Sequence, residues 1–135
     1  MIGPTMLIVT ALAGAAVAQN PVDDATAIQG SWMMVALEKG GIRDTTNKNV
    51  NNTTIVFGAD GYYAVKPTGF EFPGHYRITP SVRALDITVN DRTVLARYEL
   101  QDDELRVCEG TNSRPPGMIA SECRHGAVTV YRRQK

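Results

Sequence analysis

The residues able to do covalent or metal chemistry in this chain are few. Cys123-Arg124-His125 sets a thiol and an imidazole two places apart, while Cys108 and His75 lie elsewhere. A structural zinc site needs four such ligands and a catalytic one at least three, so this segment offers too few and is expected to be a solvated loop. A Cys108 or Cys123 thiolate paired with a histidine would be a nucleophile, but an exported cysteine is more often oxidised or inert. No His-Glu-x-x-His, no Gly-x-Ser-x-Gly and no phosphate-cradling loop ending in Gly-Lys-Ser/Thr occurs. The expectation is a non-enzymatic chain without metal or cofactor.

Aromatic residues are the better candidates for a site. Alternation puts Ile55 and Phe57 on one face, followed by Tyr63 and Val65, Tyr76 and Ile78, and Leu85, Ile87 and Val89. Ala96, Tyr98 and Leu100 continue it, with Leu105 and Val107. His75 falls on the opposite face, in register with Arg77. A buried phenol needs a partner for its hydroxyl, so three inward tyrosines suggest a polar network, ordered water or a ligand with hydrogen-bonding atoms. Phe57, Tyr63, Tyr76 and Tyr98 are therefore the expected ligand-binding residues. The competing expectation is a small solid core, since short strands enclose little volume.

These residues sit on short β-branched and aromatic runs separated by Gly, Asp, Asn and Pro, with no sustained helical period. Eight runs are expected to be strands: Trp32 to Glu38, Thr53 to Phe57, Tyr62 to Lys66, Glu71 to Ile78, Ala84 to Val89, Thr93 to Leu100, Glu104 to Cys108 and Ala127 to Arg133. Pro73-Gly74 predicts a bulge or bend in the fourth. Most connections are short, which favours antiparallel neighbours. Closing eight such strands into an up-and-down barrel removes the exposed edges that an open sheet would leave. A short helical turn is expected ahead of it, where Asp23-Asp24 precedes Ala25-Thr26-Ala27. A two-sheet sandwich is disfavoured by the meander order.

Of 135 residues, 14 are basic and 14 acidic, so the electrostatic reason to expect nucleic acid is missing. The apolar run Met6 to Val17 carries no charge, is too short for a membrane span, and leads into Ala16-Val17-Ala18, the pattern of a signal-peptidase site. Residues 1–18 are thus expected to be a signal peptide, residues 19–27 an N-terminal arm and residues 28–135 the barrel. Export would leave the protein periplasmic or secreted, with no membrane attachment after cleavage.

Gly30-Ser31-Trp32, at the head of the first strand, is similar to the Gly-x-Trp signature of lipocalin-like barrels. The segment Tyr98-Glu99-Leu100-Gln101-Asp102-Asp103-Glu104-Leu105-Arg106-Val107-Cys108, with Arg114-Pro115 and the terminal Arg132-Arg133, resembles successive blocks of one family. That family is the lipocalin-like domain of unknown function found repeatedly in planctomycete bacteria, and the resemblance spans Ile28 to Lys135. It implies a small barrel, often exported, and no established activity. Gly30 and Trp32 are then structural, with Trp32 plugging the barrel base.

Two functional expectations follow. The first is a lipocalin-like barrel binding one small, partly apolar molecule. The second is a protein-interaction module, such as an inhibitor of an extracytoplasmic hydrolase, acting through a loop or through Gln19 to Ala27. Cys108 ends the seventh strand and Cys123 shortly precedes the eighth, so antiparallel pairing of those strands brings them to one mouth, where a disulfide can form. Against that pairing, a cysteine at the end of this strand recurs in the family without a fixed partner, which would leave Cys108 an ordinary half-buried residue.

Overall fold

The structure is a computed structural model and describes residues 24–135. The expected signal peptide and most of the N-terminal arm lie outside the described residues. The chain begins with a single helical turn, α1 (Asp24–Ala27). Nine strands follow: β1 (Gly30–Lys39), β2 (Ile42–Asp44), β3 (Thr53–Phe57), β4 (Tyr62–Pro67), β5 (Phe72–Thr79), β6 (Ala84–Val89), β7 (Arg92–Gln101), β8 (Glu104–Glu109) and β9 (Val128–Arg133).

Every pairing is antiparallel, and from β3 to β9 each strand neighbours the next in sequence. The sheet closes because β1 pairs with β3 along its first half and with β9 along most of its length. Eight strands therefore make a closed up-and-down barrel. The ninth, β2, pairs only with the last residues of β1 and extends one wall at the rim. Sequence patterning gives no sign of β2. Its three residues are all exposed, so they lack the alternation that burial imposes on a strand.

Turn chemistry sets the register. Asn90 and Asp91 both take positive φ between β6 and β7, as a two-residue hairpin requires, and Gly61 does so at the start of β4. Of the bulge or bend expected at Pro73-Gly74, no bulge forms, because β5 runs in unbroken register against β4 and β6. Gly74 serves another purpose, because a Cβ there would come within 2.1 Å of the Thr88 carbonyl oxygen. The bulge lies instead in β1, where Val35 is skipped in the pairing with β9. One extra residue there reverses the inward phase, so Met34 faces the core before the bulge and Leu37 faces the barrel space after it.

The base of the barrel is sealed by apolar and polar contacts together. Trp32 is fully buried and donates its indole N–H to the Ile28 carbonyl at 2.8 Å. The Arg133 guanidinium lies over its ring, 4.3 Å from the centroid, and donates to the carbonyls of Gln29 and Ala27. Gly30 stands beside that guanidinium with φ of 128°, a conformation that side chains rarely adopt. Tyr98, also fully buried, donates to the Asp24 carboxylate at 2.6 Å and so ties α1 to β7. Outside the wall, Cys108 and Cys123 form a disulfide with Cα atoms 5.1 Å apart, and with Val128 and Met118 they make a second small apolar cluster.

Two stability changes are expected. Tyr98→Phe leaves Asp24 buried without its best donor and should cost about 1–3 kcal/mol in urea unfolding. An unchanged midpoint would mean that α1 does not depend on this bond. Replacing both Cys108 and Cys123 with Ser opens a link of sequence separation 15. It should lower the unfolding free energy by about 3 kcal/mol in the chain-entropy account, and equal stability would contradict a restraining role.

Candidate functional site

The two ends of the barrel differ. The base, where β1 begins and β9 ends, is plugged by α1, Trp32 and Tyr98. At the other end, where β1 ends and β9 begins, the side chains stop short of filling the space. A cavity of about 410 Å³ opens there, lined by Met34, Leu37, Thr129 and Tyr131 from the walls and by Glu109 from the end of β8. Lys39, Asn47, Asn49, Arg124 and His125 form its rim. Binding pockets for small organic molecules generally run from about 300 to 1,000 Å³.

Local structure explains each position. Leu105 and Val107 face inward on β8, and the period of two carries Glu109 to the same face one pair higher. Arg124 and His125 are held by the 3-10 turn Arg124–Gly126, where His125 takes positive φ, and the Cys108–Cys123 bond fixes that turn to the end of β8. The disulfide thus builds one side of the rim. Among the described residues, no group of three His, Cys, Asp or Glu side chains is placed to hold a metal. Cys123, bonded to Cys108, has no thiolate to offer.

Electrostatics single out Glu109. Burial pushes its carboxyl above the ordinary value of 4.5, with the positive charges of Arg124 and His125 opposing the shift. Neither cation is bonded to it, and no hydrogen bond to its carboxylate occurs among the described residues. Burial also raises the Tyr131 phenol, helped by Tyr63 and Glu109, and raises Tyr63 with help from Glu109. Among the described residues the hydroxyls of Tyr63 and Tyr131 make no hydrogen bond either. One carboxylate and two phenols therefore face the barrel interior with unused hydrogen-bonding capacity.

The four residues expected from the sequence to bind a ligand do not line this cavity. Phe57, Tyr63 and Tyr76 pack on one another instead, with ring centroids 5.3 Å and 4.9 Å from Phe57. Tyr76 donates its hydroxyl to the Gly58 carbonyl at 2.7 Å, and Tyr98 lies at the base on Asp24. Two of the three tyrosines thus find protein partners near the closed end, and Tyr63 alone communicates with the mouth through its proximity to Glu109. His75 is exposed on the outer wall.

Glu109→Gln tests the electrostatic description. A carboxyl whose pKa is higher folded than unfolded stabilises the fold below its unfolded value, and that contribution is lost as pH rises through the folded value. The glutamine variant should therefore melt higher than the parent at neutral pH, and the gap should close as pH falls below 4.5. A gap independent of pH would show that Glu109 is not a desolvated carboxylate.

Comparison with known proteins adds the fold and no activity. No protein-family model matches the chain, and no curated protein matches it. Among solved structures it is similar to a DUF4847 family protein from Bacteroides vulgatus, with a TM-score of 0.55 and 10% identity. The match covers 84% of this chain and 99% of that one. At that identity the likeness establishes a shared barrel architecture between this chain and a protein of unknown function.

Proposed function

We propose that this chain is an exported, lipocalin-like binding barrel that takes one small, partly apolar molecule into its mouth cavity and performs no catalysis. The observation that carries this reading is the asymmetry of the barrel. The base is sealed by α1, Trp32 and Tyr98, whereas at the mouth the wall residues Met34, Leu37, Thr129 and Tyr131 border an open cavity of about 410 Å³. Its floor is apolar and aromatic where Met34, Leu37 and Tyr131 meet, and its rim is polar, carrying Lys39, Asn47, Asn49, Arg124 and His125, so it offers an apolar seat with polar groups around the entrance. The resemblance to the planctomycete lipocalin-like domain agrees with export and leaves the ligand open. A protein-interaction role draws on a different feature, the stacked and exposed Phe70 and Phe72 at the β4–β5 turn, but it gives the cavity no purpose.

An uncharged fluorescent probe, N-phenyl-1-naphthylamine, tests the reading. The parent protein should bind one equivalent with enhanced emission. Thr129→Trp fills the space and should weaken binding at least tenfold while the far-ultraviolet spectrum keeps its barrel signature. No binding, or binding unaffected by Thr129→Trp, would overturn the assignment of the cavity.

A further inference from the structure

We propose that the mouth cavity selects an organic ammonium ion, with Glu109 as the anchor for its charged nitrogen and Tyr131, Met34 and Leu37 as the wall for its apolar body. This inference rests on the cavity being a binding site and adds the class of ligand.

Three observations lead to it. Glu109 is the acidic side chain in the cavity lining, and its carboxylate has no bonded partner among the described residues. Glu109 is half-buried, so its carboxylate is partly withdrawn from water without a protein partner, and a ligand N–H that reaches it gains a charge-assisted hydrogen bond. The neighbouring walls suit a cation as well: Tyr131 lines the cavity with a hydroxyl that has no partner among the described residues, and Tyr63 lies within electrostatic reach. Neutral hydrogen-bond donors can satisfy the same oxygens, but they do not cancel the charge.

The cations of the rim argue for the same assignment. Lys39, Arg124 and His125 are all exposed to water. An anion held by them would sit in a solvated, screened setting where an ion pair gains little. The cavity's least exposed charge is the half-buried Glu109, and a ligand gains most by matching the charge that water solvates least. Arg124 and His125 act on Glu109 at a distance without bonding to it, so they compete weakly with an incoming ammonium and leave the carboxylate accessible.

The test is calorimetric titration with three compounds of one shape: 2-phenylethylamine, 2-phenylethanol and 3-phenylpropanoate. The amine should bind the parent protein at least tenfold more tightly than either of the others. Glu109→Gln should abolish that preference and leave the alcohol nearly unaffected. Arg124→Gln should strengthen the amine, because it removes a competing cation. Equal affinity for amine and alcohol, preference for the acid, or an amine preference that survives Glu109→Gln would each overturn the proposal. If the alcohol or acid still binds and Thr129→Trp blocks it, the cavity remains a binding site and only the ammonium assignment falls. The comparison among the three compounds on the parent protein decides the matter even if Glu109→Gln does not fold. Failure of all three to bind overturns the ammonium assignment, while the cavity itself stands or falls by the N-phenyl-1-naphthylamine titration.

Discussion

The pairing of β1 with β9 is the constraint on which the rest of this structure depends. Without it, the strands form an open sheet with two unpaired edges and no interior. With it, every strand of the barrel has two neighbours, and the inward faces enclose a space whose filling decides what the protein can do. The seam also brings together the residues that seal one end. Arg133, near the end of β9, reaches Trp32 near the start of β1 because the two are directly paired in register. One contact thus closes the barrel and plugs its base.

The open end follows from the same seam. The bulge at Val35 shifts the phase of β1, and past it Leu37 and Thr129 are paired on the wall of the mouth. No residue there is as large as Trp32, so the space persists. Glu109 and the Arg124–Gly126 turn are then positioned by two devices of different kind. Strand periodicity aims Glu109 inward, and the disulfide holds the turn at the rim. Burial at that position disfavours the charged form of the Glu109 carboxyl, with Arg124 and His125 opposing the effect.

Much of this was legible in the sequence, and the omissions have physical causes. All eight barrel strands are written as short β-branched and aromatic runs, and Ile55, Phe57, Leu85, Ile87, Leu100, Leu105 and Val107 lie in the core where alternation put them. Gly-x-Trp marked the start of the sheet, but nothing local announced that Arg133 would cover the indole, since a cation over a ring is a long-range contact. The tyrosines were found as inward residues and their environment was not. Hydroxyl partners such as the Gly58 carbonyl and the Asp24 carboxylate come from segments distant in sequence. Glu109 escaped notice because a charged residue reads as the end of a strand. Extending the period of two from Leu105 and Val107 by one step would have placed it inside. Met34 and Tyr131 belong to the two strands whose relative phase changes at the bulge, and a bulge leaves no reliable mark in a single sequence.

The central claim is that the barrel mouth is a binding space and not a packing defect. A high-resolution crystal structure of the protein isolated from its own source, without added ligand, addresses it most directly. The account predicts a bound small molecule against Tyr131, Met34 and Leu37, with a hydrogen-bonding nitrogen at the Glu109 carboxylate. A mouth closed by side chains, with Glu109 in a salt bridge to Arg124 and no room beyond a single water, would contradict it.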